Sequence, residues 1–453
     1  MNNTLTFYEH QSINFEDLKE KLNLSKNKIV ELFKTINRKN KSIVKDNEYE
    51  ENEYDSIFRI YYNEIKAKHY VGFVAVDNKV IQILPKVFKN EDYSDIEKIL
   101  AFVKMMNYAY NLNIKEQELA KVKNEESKTT ILEVFIYLFA YSLLKEIGRG
   151  FYREYVRVRE EKKFLKGKLL IDKQIRKLPH QRHKFSIEYH VFTENNLLNQ
   201  IFYYTTYISM KKTKWQINKK LLSELMLIFD GINLRKITIH DFKKVHFIRL
   251  NERFKKPFNL AKIILSTFGE VEGEDAVGFF VDMNDLFEKF ICSILSKNLD
   301  FEIRYQDSFD LFKKETLKGL KNIQQKPDYV IYKNNKPLLV LDAKYKEIKK
   351  ENGKIDLSSD ILRQVYTYAK YYSTNDKNVN AVLIFPKYKN YNSFRRENPI
   401  IGEATFFDNE IKLYVLTYDM EKLITGDGID EEFINCLNTL INEQNYLINL
   451  SNI

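Results

Sequence analysis

The chain has 453 residues, 44% of them apolar and 30% charged, with a formal net charge of +10 and two cysteines, Cys292 and Cys436. That length accommodates two or three domains, and the composition excludes a disordered or fibrous chain. Two cysteines exclude a disulfide framework or a four-cysteine zinc site and fit a reducing cytoplasm. No apolar run is long enough to span a membrane, and the polar N-terminus lacks a signal peptide.

Residues 1–50 read as a small helical element. "NFEDLKEKL" and "SKNKIVELFKTI" have helical spacing, with Asn14 and Ser25 as N-caps. The charged stretch Asp46 to Ser56 reads as a linker. "YVGFVAVDNKVIQILPK" then gives two β-rich runs around Asp77-Asn78, a hairpin signal. Helices are expected at about 92–110 and 129–147, the second a buried apolar helix ended by Gly148 in "GRG".

A basic middle follows, mixing strands ("KGKLLID", "KFSIEYHVFT") with helices such as 196–211. Between Lys145 and Lys262 there are 28 Lys or Arg against 11 Asp or Glu, a surplus of 17, so the rest of the chain is net acidic. A polyanion partner, nucleic acid above all, accounts for such a patch, and the interleaved aromatics favour DNA; a solubilising surface is the alternative.

From about residue 265 the order becomes helix, hairpin, helix, strand, an α/β pattern with a mixed sheet. "VDMNDLFEKFICSILSKNL" carries Leu286, Phe287, Phe290, Ile291, Ile294 and Leu295 on one stripe. A helix in "SDILRQVYTYAKYY", strands in "NAVLIFP" and "IKLYVLTY", and a helix at about 430–447 complete the region. The sequence thus divides into 1–50, an α+β region 51–264, and an α/β domain 265–453.

The hairpin "KPDYVIYKNNKPLLVLDAKYK" holds the chemistry. Residues two apart on a strand share a face, so Asp342 and Lys344 point the same way. A strict two-residue turn at Asn334-Asn335 would set Asp328 opposite Leu341, on the wrong face. A longer loop that takes in Pro337, which cannot donate to a ladder, sets Asp328 opposite Asp342 instead. On that register Asp328, Asp342 and Lys344 converge. Two close carboxylates suit Mg²⁺, and a neighbouring lysine suits a phosphate transition state, so the constellation reads as metal-dependent phosphodiester hydrolysis. Glu288, beside the apolar stripe of the preceding helix, is placed to extend the acidic cluster. Gln364 and Tyr368, at i and i+4, are placed to contact the site or the DNA backbone.

Other chemistries lack their residues. There is no GxxxxGK[ST], GxGxxG or GxSxG. His180, His183 and His190 have no cysteine or acidic partner at metal-ligand spacing and read as structural or phosphate-contacting.

The series "PDYVIY…LLVLDAKYK…DILRQVYTYAKYY" resembles the PD-(D/E)xK restriction-endonuclease-like core of the McrC family, the nuclease subunits of McrBC-type 5-methylcytosine-specific restriction systems. "VIQILPK", "KGKLLIDKQI" and "FVDMNDLFEKFI" resemble further segments of the same family, so the likeness runs from about Val71 to Phe385. It implies a type IV restriction endonuclease subunit, cytoplasmic and off the membrane. Asp328, Asp342 and Glu288 would bind Mg²⁺, with Lys344 the motif lysine and Gln364 in the helix that follows. The implied partners are double-stranded DNA and a McrB-like hexameric AAA+ GTPase, which binds the GTP itself and whose hydrolysis this chain would stimulate. Alternatives are a nuclease-inactive activator or DNA-binding subunit, and a stand-alone repair or resolvase-type nuclease.

Overall fold

The computed structural model describes residues 4–40, 56–76, 79–89, 93–123, 130–267, 278–316, 318–351, 354–374, 378–388, 399–407 and 410–450. Most of the expected linker and the Asp77-Asn78 turn lie outside the described residues. Two compact units emerge, one of Met1–Gly72, Ile81–Asn124 and Phe280–Ile453, the other of Phe73–Val80 and Glu125–Phe279. Their borders differ from the three-part division of the sequence. The N-terminal residues, moreover, are not only helical.

Thr4–Tyr8 is a strand that edges a four-stranded sheet, in the order Thr4–Tyr8, Lys79–Leu84, Tyr70–Val76 and Phe279–Asp282. Its partners are far away in sequence, so local periodicity could not announce it. The two expected helices follow as Phe15–Leu22 and Lys26–Lys39. Asn14 caps the first by accepting from the Asp17 N–H, whereas Ser25 occupies its cap position without a side-chain bond.

The first unit also holds a six-stranded mixed sheet. Its order is Glu302–Tyr305, Tyr329–Lys333, Lys336–Ala343, Asn380–Pro386, Lys412–Tyr418 and Ile400–Thr405. The first three strands are antiparallel; Lys336–Ala343, Asn380–Pro386 and Lys412–Tyr418 run parallel; the last pairing is antiparallel again. Central parallel strands are covered on both faces, which is why "LLVL" and "AVLIF" read as unbroken apolar runs. The Ser359–Tyr372 helix crosses between two of these strands and seats Val365 and Ala369 on Ala381, Leu383 and Val415. All six residues of the apolar stripe in the Met283–Asn298 helix are fully buried. At about 1.5–3 kcal/mol per large apolar side chain, that stripe alone fixes which way the helix faces.

The second unit carries the basic surplus. It pairs Glu154–Lys162 with Phe185–Thr193 and Lys168–Leu169 in an antiparallel sheet. Gly167 has φ +72°, and a Cβ there would lie 2.4 Å from the Glu188 carbonyl oxygen, so only glycine fits. The helices Ile131–Ile147, Leu197–Lys212, Gln216–Ile228 and Lys255–Thr267 form the remainder of its core. Gly148 caps the first of these in a right-handed conformation, and Gly150, at φ +109°, makes the turn.

Candidate active site

The hairpin is built differently from the loop expected of it. Asn334 and Asn335 form a tight two-residue turn with φ of +50° and +62°, the left-handed pair that joins twisted strands. Pro337 lies within the strand, opposite Tyr332, where no ladder N–H is required of it. The register shifts one step later, between Ile331 and Tyr332, where a bulge absorbs the extra residue. From there Ile331 pairs with Leu339 and Tyr329 with Leu341, and the same register carries Asp328 to Asp342. The pairing inferred from sequence is present; the bulge supplies it, not a longer loop.

Asp342 is 1% exposed, and the Lys344 Nζ lies 2.5 Å from its Oδ2. Asp328 is half-buried and accepts from the Ala343 N–H at 2.7 Å through Oδ2. Burial, then the charges of Asp342 and Glu288, hold Asp328 well above the ordinary carboxylate range, against the pull of Lys344 and of that N–H. Burial also raises Asp342, with Lys344 opposing it. Two neighbouring carboxylates, both raised, form a site that a cation would relieve.

Glu288 projects from the Met283–Asn298 helix into the same cleft of about 610 Å³, which Asp328, Lys344, Asp360 and Gln364 also line. Its Oε1 accepts from the Gln306 side-chain amide at 2.7 Å. Gln364 donates to the Tyr368 hydroxyl at 2.6 Å, and that hydroxyl reaches the Lys326 carbonyl at 3.2 Å. Tyr368 is itself buried among Val330, Val340 and Phe309, with its hydroxyl pushed up to about 12 by burial. It supports Gln364 from the core and does not present a surface to DNA. Four of the five expected site residues, Glu288, Asp328, Lys344 and Gln364, therefore line one cleft, and the buried Asp342 joins them through its ion pair with Lys344.

Sequence reasoning missed Gln306. Its backbone N–H donates to the Asp328 carbonyl at 2.9 Å while its side chain holds Glu288, so one residue ties two of the acids together. It does so at φ +53°, a left-handed conformation that a glutamine gives no local sign of adopting. The three histidines stay apart from this cleft in sequence and unit; the His183 Nδ1 pairs with the His180 carbonyl at 2.8 Å, and His190 faces Arg157 across the strands.

Among the described residues no three His, Cys, Asp or Glu side chains are set as a ready-made metal cage. The donor set is instead an open carboxylate pair with a third acid near, which fits Mg²⁺, an ion that keeps several waters and takes one or two carboxylates.

A model of the family described as McrBC 5-methylcytosine restriction system component matches residues 65–386. No curated protein matches the chain. Among solved structures, a chain of the refined half-complex from the tetradecameric assembly of Thermococcus gammatolerans McrB AAA+ hexamers with bound McrC is 38% identical. The match covers 96% of this chain and 100% of that one, with a TM-score of 0.74. A chain of the cryo-EM structure of the Thermococcus gammatolerans McrBC complex is 43% identical over 67% of this chain and 89% of that one, with a TM-score of 0.51. The matched span takes in the hairpin, both flanking helices and the strand that follows, and on that breadth the chain belongs to the McrBC family of 5-methylcytosine restriction system components, as its likeness to McrC implied.

Proposed function

We propose that this chain is the Mg²⁺-dependent endonuclease subunit of a modification-dependent restriction complex, with a PD-(D/E)xK nuclease domain as its C-terminal part. The observation that carries this reading is the register that sets Asp328 opposite Asp342 with Lys344 at 2.5 Å from the latter. Asp328 and Asp342 would hold the metal, with Glu288 directed at the same cleft by Gln306. Bound Mg²⁺ supplies a Lewis acid for the phosphodiester and lowers the pKa of a coordinated water. Lys344 presents its ammonium where the phosphoryl oxygens gain charge in the transition state. Gln364, which lines the same cleft and is held by Tyr368, would contact the DNA backbone there.

One of the similar Thermococcus gammatolerans assemblies holds McrB AAA+ hexamers with bound McrC and the other is a McrBC complex; a McrB-like hexameric AAA+ GTPase is accordingly the partner this chain would take and stimulate, in a cytoplasmic antiviral defence complex. No helix among the described residues is long and apolar enough to cross a membrane. The surface suited to the motor lies in the second unit. There Phe164, Leu165, Ile171, Ile175 and Leu178 are each more than half exposed along a basic stretch, apolar area that a protein partner would cover.

Asp342→Ala tests the site. It is expected to lower cleavage of methylated DNA by about 10³-fold or more while assembly with the motor and GTP hydrolysis persist. Cleavage at the wild-type rate would reject the assignment. The nuclease-inactive reading predicts no cutting by the wild type, and a stand-alone nuclease predicts cutting without motor or nucleotide.

A further inference from the structure

Pro85-Lys86, at the end of "VIQILPK", and the N-terminal strand have no part in the site as described so far. Both lead to it. Glu9, just after the Thr4–Tyr8 strand, is 3% exposed, and its backbone N–H donates to the Leu84 carbonyl at 3.0 Å. Its Oε2 accepts the Lys86 N–H at 2.9 Å and the Tyr345 hydroxyl at 3.0 Å. The Lys86 Nζ in turn reaches the Tyr345 carbonyl at 3.3 Å and sits 4.8 Å from the centre of the Tyr345 ring. Tyr345 is 2% exposed, and its ring packs at 5.6 Å against Phe287, the neighbour of Glu288.

Tyr345 follows Lys344 directly. The metal strand ends at Ala343; the Lys344 N–H still bonds the Ile384 carbonyl at 2.8 Å, and the chain then leaves the ladder in a tight turn closed by Lys346 N–H on the Lys344 carbonyl at 2.8 Å. A lysine has a flexible four-carbon stem, so the place of its ammonium depends on how firmly the backbone beneath it is held. Burying a carboxylate, an ammonium and a phenol is costly, and apolar side chains would staple the turn more cheaply. A polar trio does what they cannot: it satisfies the carbonyl and hydroxyl of the residue beside Lys344 in a fixed direction.

We propose that Glu9, Lys86 and Tyr345 form a clamp that positions Lys344 by fixing the turn after the metal strand. The N-terminal strand and the Pro85-Lys86 corner are then supporting parts of the nuclease centre. This rests on the nuclease reading above. The three are positioning residues; none touches the reacting atoms.

The test uses the full chain with its motor, GTP and methylated DNA. Lys86→Met keeps the stem and removes the ammonium; Lys86→Arg restores the charge; Tyr345→Phe keeps the ring and removes the hydroxyl. Lys86→Met is expected to slow single-turnover cleavage about ten- to hundred-fold, as loss of a supporting partner of a catalytic group does. The Mg²⁺ concentration for half-maximal rate should stay within about twofold, because the carboxylates are untouched. Amide exchange measured by mass spectrometry at residues 344–346 should quicken by about tenfold or more, with Lys86→Arg recovering both readouts. Tyr345→Phe should give a smaller change of the same sign, and stands in should Lys86→Met fail to fold. Unchanged exchange at 344–346, or faster exchange with wild-type cleavage, overturns the proposal. A wild-type chain that cuts no DNA overturns the nuclease reading and, with it, the catalytic part of this inference.

Discussion

Gln306 shows how much a single residue can organise. Its left-handed backbone costs on the order of 1 kcal/mol in a residue with a Cβ, and the return is a bond to each of two acids. Gln306→Gly separates the two effects, because glycine accepts that φ while the amide is lost. It should leave the melting midpoint within about 3 °C of wild type, and raise the Mg²⁺ requirement for cleavage about tenfold as Glu288 loses its orientation. A second residue-scale prediction concerns pH. Asp328 is raised well above its unfolded value, so its contribution to stability is full below the ordinary carboxylate range and is lost as pH rises through the raised value. Without Mg²⁺ the melting midpoint should fall between pH 5 and pH 8 by more in the wild type than in Asp328→Asn. Mg²⁺, which replaces the proton, should stabilise the wild type more at the higher pH.

Among the elements, the central hairpin decides whether there is a site at all. A one-residue change of register turns Asp328 away from Asp342, and the strict turn at Asn334-Asn335 would have produced that outcome without the bulge. The turn and the register are therefore separable. Asn334→Ala removes the short polar side chain that makes φ +50° tolerable and should cost about 1 kcal/mol of stability. Cleavage should be unchanged when measured well below the melting midpoint, since the bulge and not the turn sets the register. Loss of cutting in a folded Asn334→Ala chain would show that the turn matters more than this. The Met283–Asn298 and Ser359–Tyr372 helices were legible end to end, because each carries an apolar stripe over its whole length and neighbours beyond the chain's own periodicity were not needed.

At the scale of the whole molecule, charge and chemistry are segregated. The acids and Lys344 belong to the first unit, and the basic surplus with its exposed apolar side chains belongs to the second. Such a division suits a protein that cuts with one part and engages a partner with another. Phe164→Ser combined with Leu165→Ser should weaken binding to the motor about tenfold or more, since exposed apolar anchors dominate interfaces. Melting behaviour should not change, because both side chains are already more than half exposed. Undiminished affinity would move the docking surface elsewhere.

Taken by itself, the sequence determined the helices, the mixed sheet of the C-terminal region, and which residues could do chemistry there, because periodicity and side-chain type are local properties. It also placed Asp328 opposite Asp342, although through a loop the protein does not have. Only tertiary structure decided the rest. The bulge at Pro337-Leu338, the left-handed Gln306 and the Thr4–Tyr8 strand are all selected by partners distant in the chain, whose packing outweighs local preference. The same holds for Lys86. Nothing near it in sequence indicates that its ammonium is spent on the carbonyl of Tyr345, 259 positions on, beside the lysine of the site.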